Sequence, residues 1–84
     1  MDLGIEGRVA IVAASSRGLG RAIAIELARA GWTIVINDIG NPLPPQETLA
    51  AVRAQGSDGI IILADITSAE ERKRIVQETL QAFG

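Results

Sequence analysis

The chain has 84 residues, enough for one small domain that buries only about 60–65% of its unfolded surface. Hydrophobic residues at 48%, charged residues at 21% and a net charge of −2 exclude disorder and give no general attraction to nucleic acid or an anionic membrane. With no cysteine and no histidine, disulfides, thiol chemistry, the usual zinc sites and a histidine base are excluded as well. Residues 1–6 lack a basic start followed by an apolar core, and no apolar run approaches the ~20 residues that span a bilayer, so a cytoplasmic protein is expected.

In chain order, residues 9–13 form a short apolar run between polar residues, which suits a strand covered on both faces. Residues 14–20 are a turn made almost without side chains. Leu19, Ile23 and Leu27 then recur at helical spacing over residues 19–30, with Ala22, Ala24 and Ala28 between them and Gly31 as a left-handed stop. Residues 33–37 are rich in β-branched side chains and read as a second strand, ending at Asp38. Three prolines between 42 and 45 predict a loop over residues 39–45, because proline cannot continue a sheet or an established helix.

Residues 46–55 read as a short helix using Leu49 and Val52, stopped by Gly56. A third strand covers 60–64, with Asp65 at its carboxyl end. Ser68 to Glu71 fits a capping box, in which Ser68 caps the Glu71 N–H while Glu71 reaches back. The last helix aligns Ile75, Val76, Leu80 and Phe83 on one face, and its Arg72-Lys73-Arg74 run reads as a solvated surface flanked by glutamates. The pattern is βαβαβα, and right-handed crossovers make the three strands parallel in the order 3-2-1. The first two helices then cover one face of the sheet and the last turns to the other.

Three features converge on the carboxyl edge of that sheet, where doubly wound folds bind ligands. The small-residue turn lets backbone N–H groups approach a ligand, and the helix after it points its positive end at the same spot, as a pyrophosphate requires. Asp38 falls 18 residues beyond Gly20, close to the ~20-residue offset of an acid that accepts hydrogen bonds from adenosine ribose hydroxyls. Asp65 ends the neighbouring strand. Ser15 and Ser16 read as loop-forming hydroxyls rather than nucleophiles, since no base is at hand to activate them. A methyltransferase also ends its second strand with an acid, but the spacing from Ala14 to Gly20 fits one less well.

The run Val12-Ala13-Ala14-Ser15-Ser16-Arg17-Gly18-Leu19-Gly20 resembles the Thr-Gly-x-x-x-Gly-x-Gly cofactor loop of the short-chain dehydrogenase/reductase family, and Asp65-Ile66-Thr67 resembles its adenine-contacting strand end. It is also compatible with the 3-oxoacyl-reductase-like subgroup. The resemblance covers the whole chain and about the first third of a typical member. It therefore implies an α/β, Rossmann-type, incomplete doubly wound sheet, with residues 1–84 the N-terminal part of one dinucleotide-binding domain. Ala13 and Ala14 stand where the family has Thr and Gly, whereas Gly18 and Gly20 match. The lost Thr hydroxyl and the added Ala14 methyl imply a less ordered loop.

By the same resemblance, backbone near Ser16, Leu19 and Gly20 meets the pyrophosphate and nicotinamide ribose, the backbone at Ala14 passes near the adenosine, Asp38 meets the adenosine ribose, and Asp65 with Ile66 the adenine. Arg17 resembles a position that grips a 2′-phosphate and favours NADP, while the Asp38 carboxylate repels that phosphate and favours NAD. NAD is the expected cofactor, because the carboxylate acts at shorter range than a hydrated Arg. The family's chemistry needs a Tyr with a Lys four residues on, helped by a Ser and an Asn. This chain has no Tyr, and its one Lys is Lys73 on a charged helix face.

The expected function is therefore the cofactor-binding segment of an NAD(P)-dependent oxidoreductase, with no catalytic or metal-binding residue of its own. A stand-alone non-catalytic dinucleotide-binding module and one subunit of a split oxidoreductase are the alternatives. The dinucleotide is the expected partner, with neither nucleic acid nor membrane. An open edge on the first strand further implies self-association or a complementing chain.

Overall fold

A computed structural model describes residues 8–83. The stretch 1–6, which reads from sequence as carrying no leader, lies outside the described residues. Three strands, β1 (Val9–Val12), β2 (Thr33–Asp38) and β3 (Gly59–Leu63), alternate with three helices, α1 (Gly18–Arg29), α2 (Leu43–Ala54) and α3 (Ala69–Phe83). The strands form one parallel sheet in the order β1-β2-β3, the order expected. Val12 lies opposite Ile36, and Ile36 opposite Ile61. All three strands thus end along the same edge.

Side chains alternate across β2, so its apolar run serves two cores. Ile34 and Ile36 join Val12, Ala24, Ala28 and Val52 in a cluster beneath α1 and α2, with Trp32 packed against it. Val35 joins Ile62, Ala64 and Ile75 in a smaller cluster beneath α3. The division of helices between the two faces is the one expected. Among the described residues, no helix is long and apolar enough to cross a membrane.

Four local expectations are corrected. In α1 the face against the sheet is made by Ala24 and Ala28, with Leu27 packed beside them, whereas Leu19 is 77% and Ile23 42% exposed. Alanines win that face because they let the helix axis lie close to the sheet, which branched side chains would prop away. The proline segment is not a loop throughout: α2 starts at Leu43 and carries Pro44 and Pro45 in its first turn. First-turn N–H groups have no intrahelical acceptor, so proline loses nothing there. In α3 only Ile75 is buried, and Val76, Leu80 and Phe83 are exposed.

The fourth correction concerns the charged run. Ser68 Oγ does accept from the Glu71 N–H at 3.3 Å, but Glu71 turns forward to Arg74 at 2.9 Å instead of back to Ser68. Arg74 also pairs with Glu78 at 2.7 Å and donates to the Leu63 carbonyl at 2.7 Å. It is a half-buried strut from α3 to the end of β3, while Arg72 and Lys73 are exposed as expected. Both carboxylates hold its guanidinium more firmly protonated, Glu78 most.

Candidate functional site at the carboxyl edge of the sheet

After β1 the chain cannot continue straight, because α1 must start over the strand ends. The bend is made at Ala14, which takes a left-handed φ of +52°. Gly18 follows with a φ of +58° and opens α1. Gly20 lies so close under the bend that a Cβ there would collide with the Ala14 carbonyl oxygen. Only a residue without a side chain lets α1 approach the loop this closely. The N-cap, Arg17, makes no side-chain hydrogen bond to the helix, and the first turn carries no acid. The N–H groups at this end of α1 are left to an external acceptor.

Asp38 ends β2 next to this loop. Its Oδ1 accepts from the Ile39 N–H at 2.8 Å. Its carboxyl is held below the ordinary value of 3.8 chiefly by the Ser16 hydroxyl; burial opposes this as the next largest effect, and the Ile39 and Ser16 N–H groups and the positive charge of Arg17 add smaller lowering contributions. Ser16 is buried, and among the described residues its Oγ is the one buried side-chain oxygen or nitrogen with no partner in hydrogen-bond geometry. The hydroxyl is therefore near enough to favour a charged Asp38 without being satisfied by it.

Asp65 lies across a small cleft. Its Oδ1 accepts from the Thr67 N–H at 2.9 Å and the Thr67 hydroxyl at 2.7 Å, which closes a turn and lowers its pKa. A cleft of about 110 Å³ is lined by Ala14, Asn37, Asp38, Ile39, Ala64, Asp65 and Ile66. The structure thus brings Ala14, Asp38, Asp65 and Ile66 to one cleft, with Ser16 and Arg17 beside Asp38. Gly18, Leu19 and Gly20 sit at the start of α1, Leu19 pointing to solvent. Among the described residues, no cluster of acids could hold a metal ion.

Beneath the cleft lies a buried polar network that includes two residues the sequence did not single out, Asn37 and Thr48. Ser15 donates its N–H to the Asn37 carbonyl at 3.1 Å, and its hydroxyl both donates to that carbonyl and accepts from the Asn37 N–H. The Asn37 amide donates to the Ile62 and Ala64 carbonyls at 3.0 and 3.2 Å. Thr48 of α2 donates its hydroxyl to the Ser15 carbonyl at 2.8 Å. Ser15 and Thr48 thus anchor the loop where the family's Thr hydroxyl is missing. One signal was visible in the sequence, since Asn37 is a polar residue in a run of β-branched ones.

A parallel sheet whose carboxyl edge carries a close-packed small-residue turn, an uncapped helix start and two strand-end acids defines the class of doubly wound α/β proteins that bind ligands at this edge. A family model for short chain dehydrogenases matches residues 8–84, and the chain belongs to that family. It is 41% identical over 80 residues to a hydroxynaphthalene reductase-like protein of Metarhizium guizhouense, covering 95% of this chain and 30% of that protein. A tetrahydroxynaphthalene reductase of Pyricularia oryzae is 34% identical, with 95% and 28% covered.

Among solved structures, an NADH-dependent reductase complexed with NAD superposes with a TM-score of 0.86 at 35% identity, over 94% of this chain and 33% of that one. An NAD⁺-bound xylitol dehydrogenase gives 0.88 at 28% identity, over 96% and 31%. The chain spans about 30% of the length of the curated relatives it matches.

Proposed function

We propose that this chain is the adenosine-binding part of a nicotinamide-dependent oxidoreductase, and that it prefers NAD to NADP. The observation that carries the reading is the Asp38 carboxylate in the cleft, beside a buried Ser16 hydroxyl with no partner of its own. A vicinal diol suits that carboxylate, which accepts from both hydroxyls while the Ser16 hydroxyl behind it favours its charge. The N–H groups near Ser16, Leu19 and Gly20 hold the pyrophosphate at the helix start, and Asp65 and Ile66 border the adenine. Bound nicotinamide supplies the hydride acceptor or donor. The chain contains neither Tyr nor His, so its residues bind and orient the cofactor and leave proton transfer to groups elsewhere in the enzyme.

The NAD preference follows from charge. Asp38 has its pKa lowered, so it is ionised throughout the neutral range and loses its charge only as pH falls below 3.8. A 2′-phosphate placed against it meets like charge. Arg17, the residue that could offset this, acts on Asp38 more weakly than the hydrogen bonds that hold the carboxylate charged. The open edge of β1 and the apolar groove of Ile11, Ile66, Ile75 and Val76 further favour a second copy or a complementing chain as partner.

Calorimetric titration with NAD and with NADP tests the reading. NAD is expected to bind at least about tenfold more tightly than NADP. Asp38→Asn keeps the shape and removes the charge, and should bring the two affinities together. Tighter binding of NADP by the unaltered chain would reverse the preference, and no affinity for either would remove the reading.

A further inference from the structure

We propose that Thr48, on α2 and remote in sequence from the cofactor loop, is the positioning residue that sets the loop for the dinucleotide, an inference resting on the function proposed above. Its hydroxyl is fully buried and donates to the backbone carbonyl of Ser15 at 2.8 Å. Ser15 is in turn locked onto Asn37 through its N–H and its hydroxyl, and the Asn37 side chain reaches the Ile62 and Ala64 carbonyls. One continuous network thus ties the loop to the residues adjoining both acids, Asp38 and Asp65.

Within this network Thr48 is the contact that comes from outside the strands and the loop. Ser15 and Asn37 join the loop to β2 just past the last β1–β2 pair, Val12 and Ile36. Thr48 adds a separate constraint: it fixes the Ser15 carbonyl, and with it the direction of the Ser16 N–H, which belongs to the same peptide unit and faces Asp38. The peptide is planar, so a carbonyl held on one side sends the following N–H to the other. The placement of Thr48 depends on the early start of α2. Pro45, Thr48 and Val52, all buried, form one stripe at spacings of three and four.

Thr48→Val removes the hydroxyl at nearly constant shape, and Thr48→Ser keeps it. Two readouts are made on each: NAD affinity by calorimetry, and amide hydrogen exchange at residues 16–20 in the free chain, referred to exchange in β2. For Thr48→Val, NAD binding about five- to tenfold weaker and loop exchange faster by a similar factor are expected, with Thr48→Ser restoring both. Unchanged affinity and unchanged loop exchange would overturn the proposal, as would slackening spread equally over β2 and the loop, which marks a merely structural role.

Should Thr48→Val fail to fold, the unaltered chain decides. Loop amides that open together with those of α2 support the coupling, and loop amides that open independently of α2 refute it. If NAD and NADP both fail to bind the unaltered chain, the cofactor reading falls. Loop exchange in the variants still reports separately whether Thr48 holds the loop.

Discussion

Ala14 holds the one left-handed backbone conformation of any non-glycine among the described residues, and it does so at the bend that makes the site. An L-residue with a Cβ is strained there by roughly 1–2 kcal/mol, and glycine is not. Glycine also costs the folded state some entropy, about 0.4–1 kcal/mol, because it frees the unfolded chain. The first effect is the larger, so Ala14→Gly should raise stability by about 0.5–1 kcal/mol, read as a higher urea midpoint with unchanged slope. A lower midpoint would mean that the Ala14 methyl makes a contact worth more than the strain. Gly20 is the opposite case, since a Cβ there strikes the Ala14 carbonyl. The obstacle is backbone and cannot rotate aside, so Gly20→Ala has to displace either the loop or α1.

At the scale of elements, α3 is held by fewer means than its amphipathic pattern suggests. Ile75 is its one buried residue, and Arg74 ties it to the Leu63 carbonyl while bridging Glu71 and Glu78. Arg74→Met keeps the aliphatic stem and removes all three contacts. It should lower the thermal midpoint and speed amide exchange in α3 more than in α1, an outcome that a solvated surface arginine would not give. Added salt should recover little of the difference, because the carbonyl contact is not a charge pair.

The strands and their order were legible because β-branched runs bounded by polar residues leave one reading. The face of α1 was not, because the residues that touch the sheet are alanines, and hydrophobic weight points to Leu19 and Ile23 instead. Nor was the role of Thr48, whose partner Ser15 lies 33 positions away. Local pattern carries no information about such a pair. The placement of Gly18, Gly20, Asp38 and Asp65 along the carboxyl edge was readable from spacing, while the network beneath them needed the fold.

The molecule as a whole has two cores of unequal weight. Six buried residues lie under α1 and α2, against four under α3. The thinner side is also where apolar surface is left uncovered: Ile11 of β1, with Ile66 and Val76, borders an open groove, and Leu80 and Phe83 continue the exposed apolar face of α3. Next to that groove β1 forms the edge of the sheet. Unpaired strand polar groups beside exposed isoleucine make a template for another strand. Purified at rising concentration, the 84-residue chain is therefore expected to sediment as a growing fraction of dimer or larger species. Ile11→Lys places a charge on the β1 edge without entering either buried cluster, and should shift the distribution back to monomer. Since Ile11 is 45% exposed, the change should leave the unfolding transition of the monomer nearly where it was. A monomer at all concentrations, with a sharp and concentration-independent transition, would show that the small core is sufficient and that the edge recruits no partner.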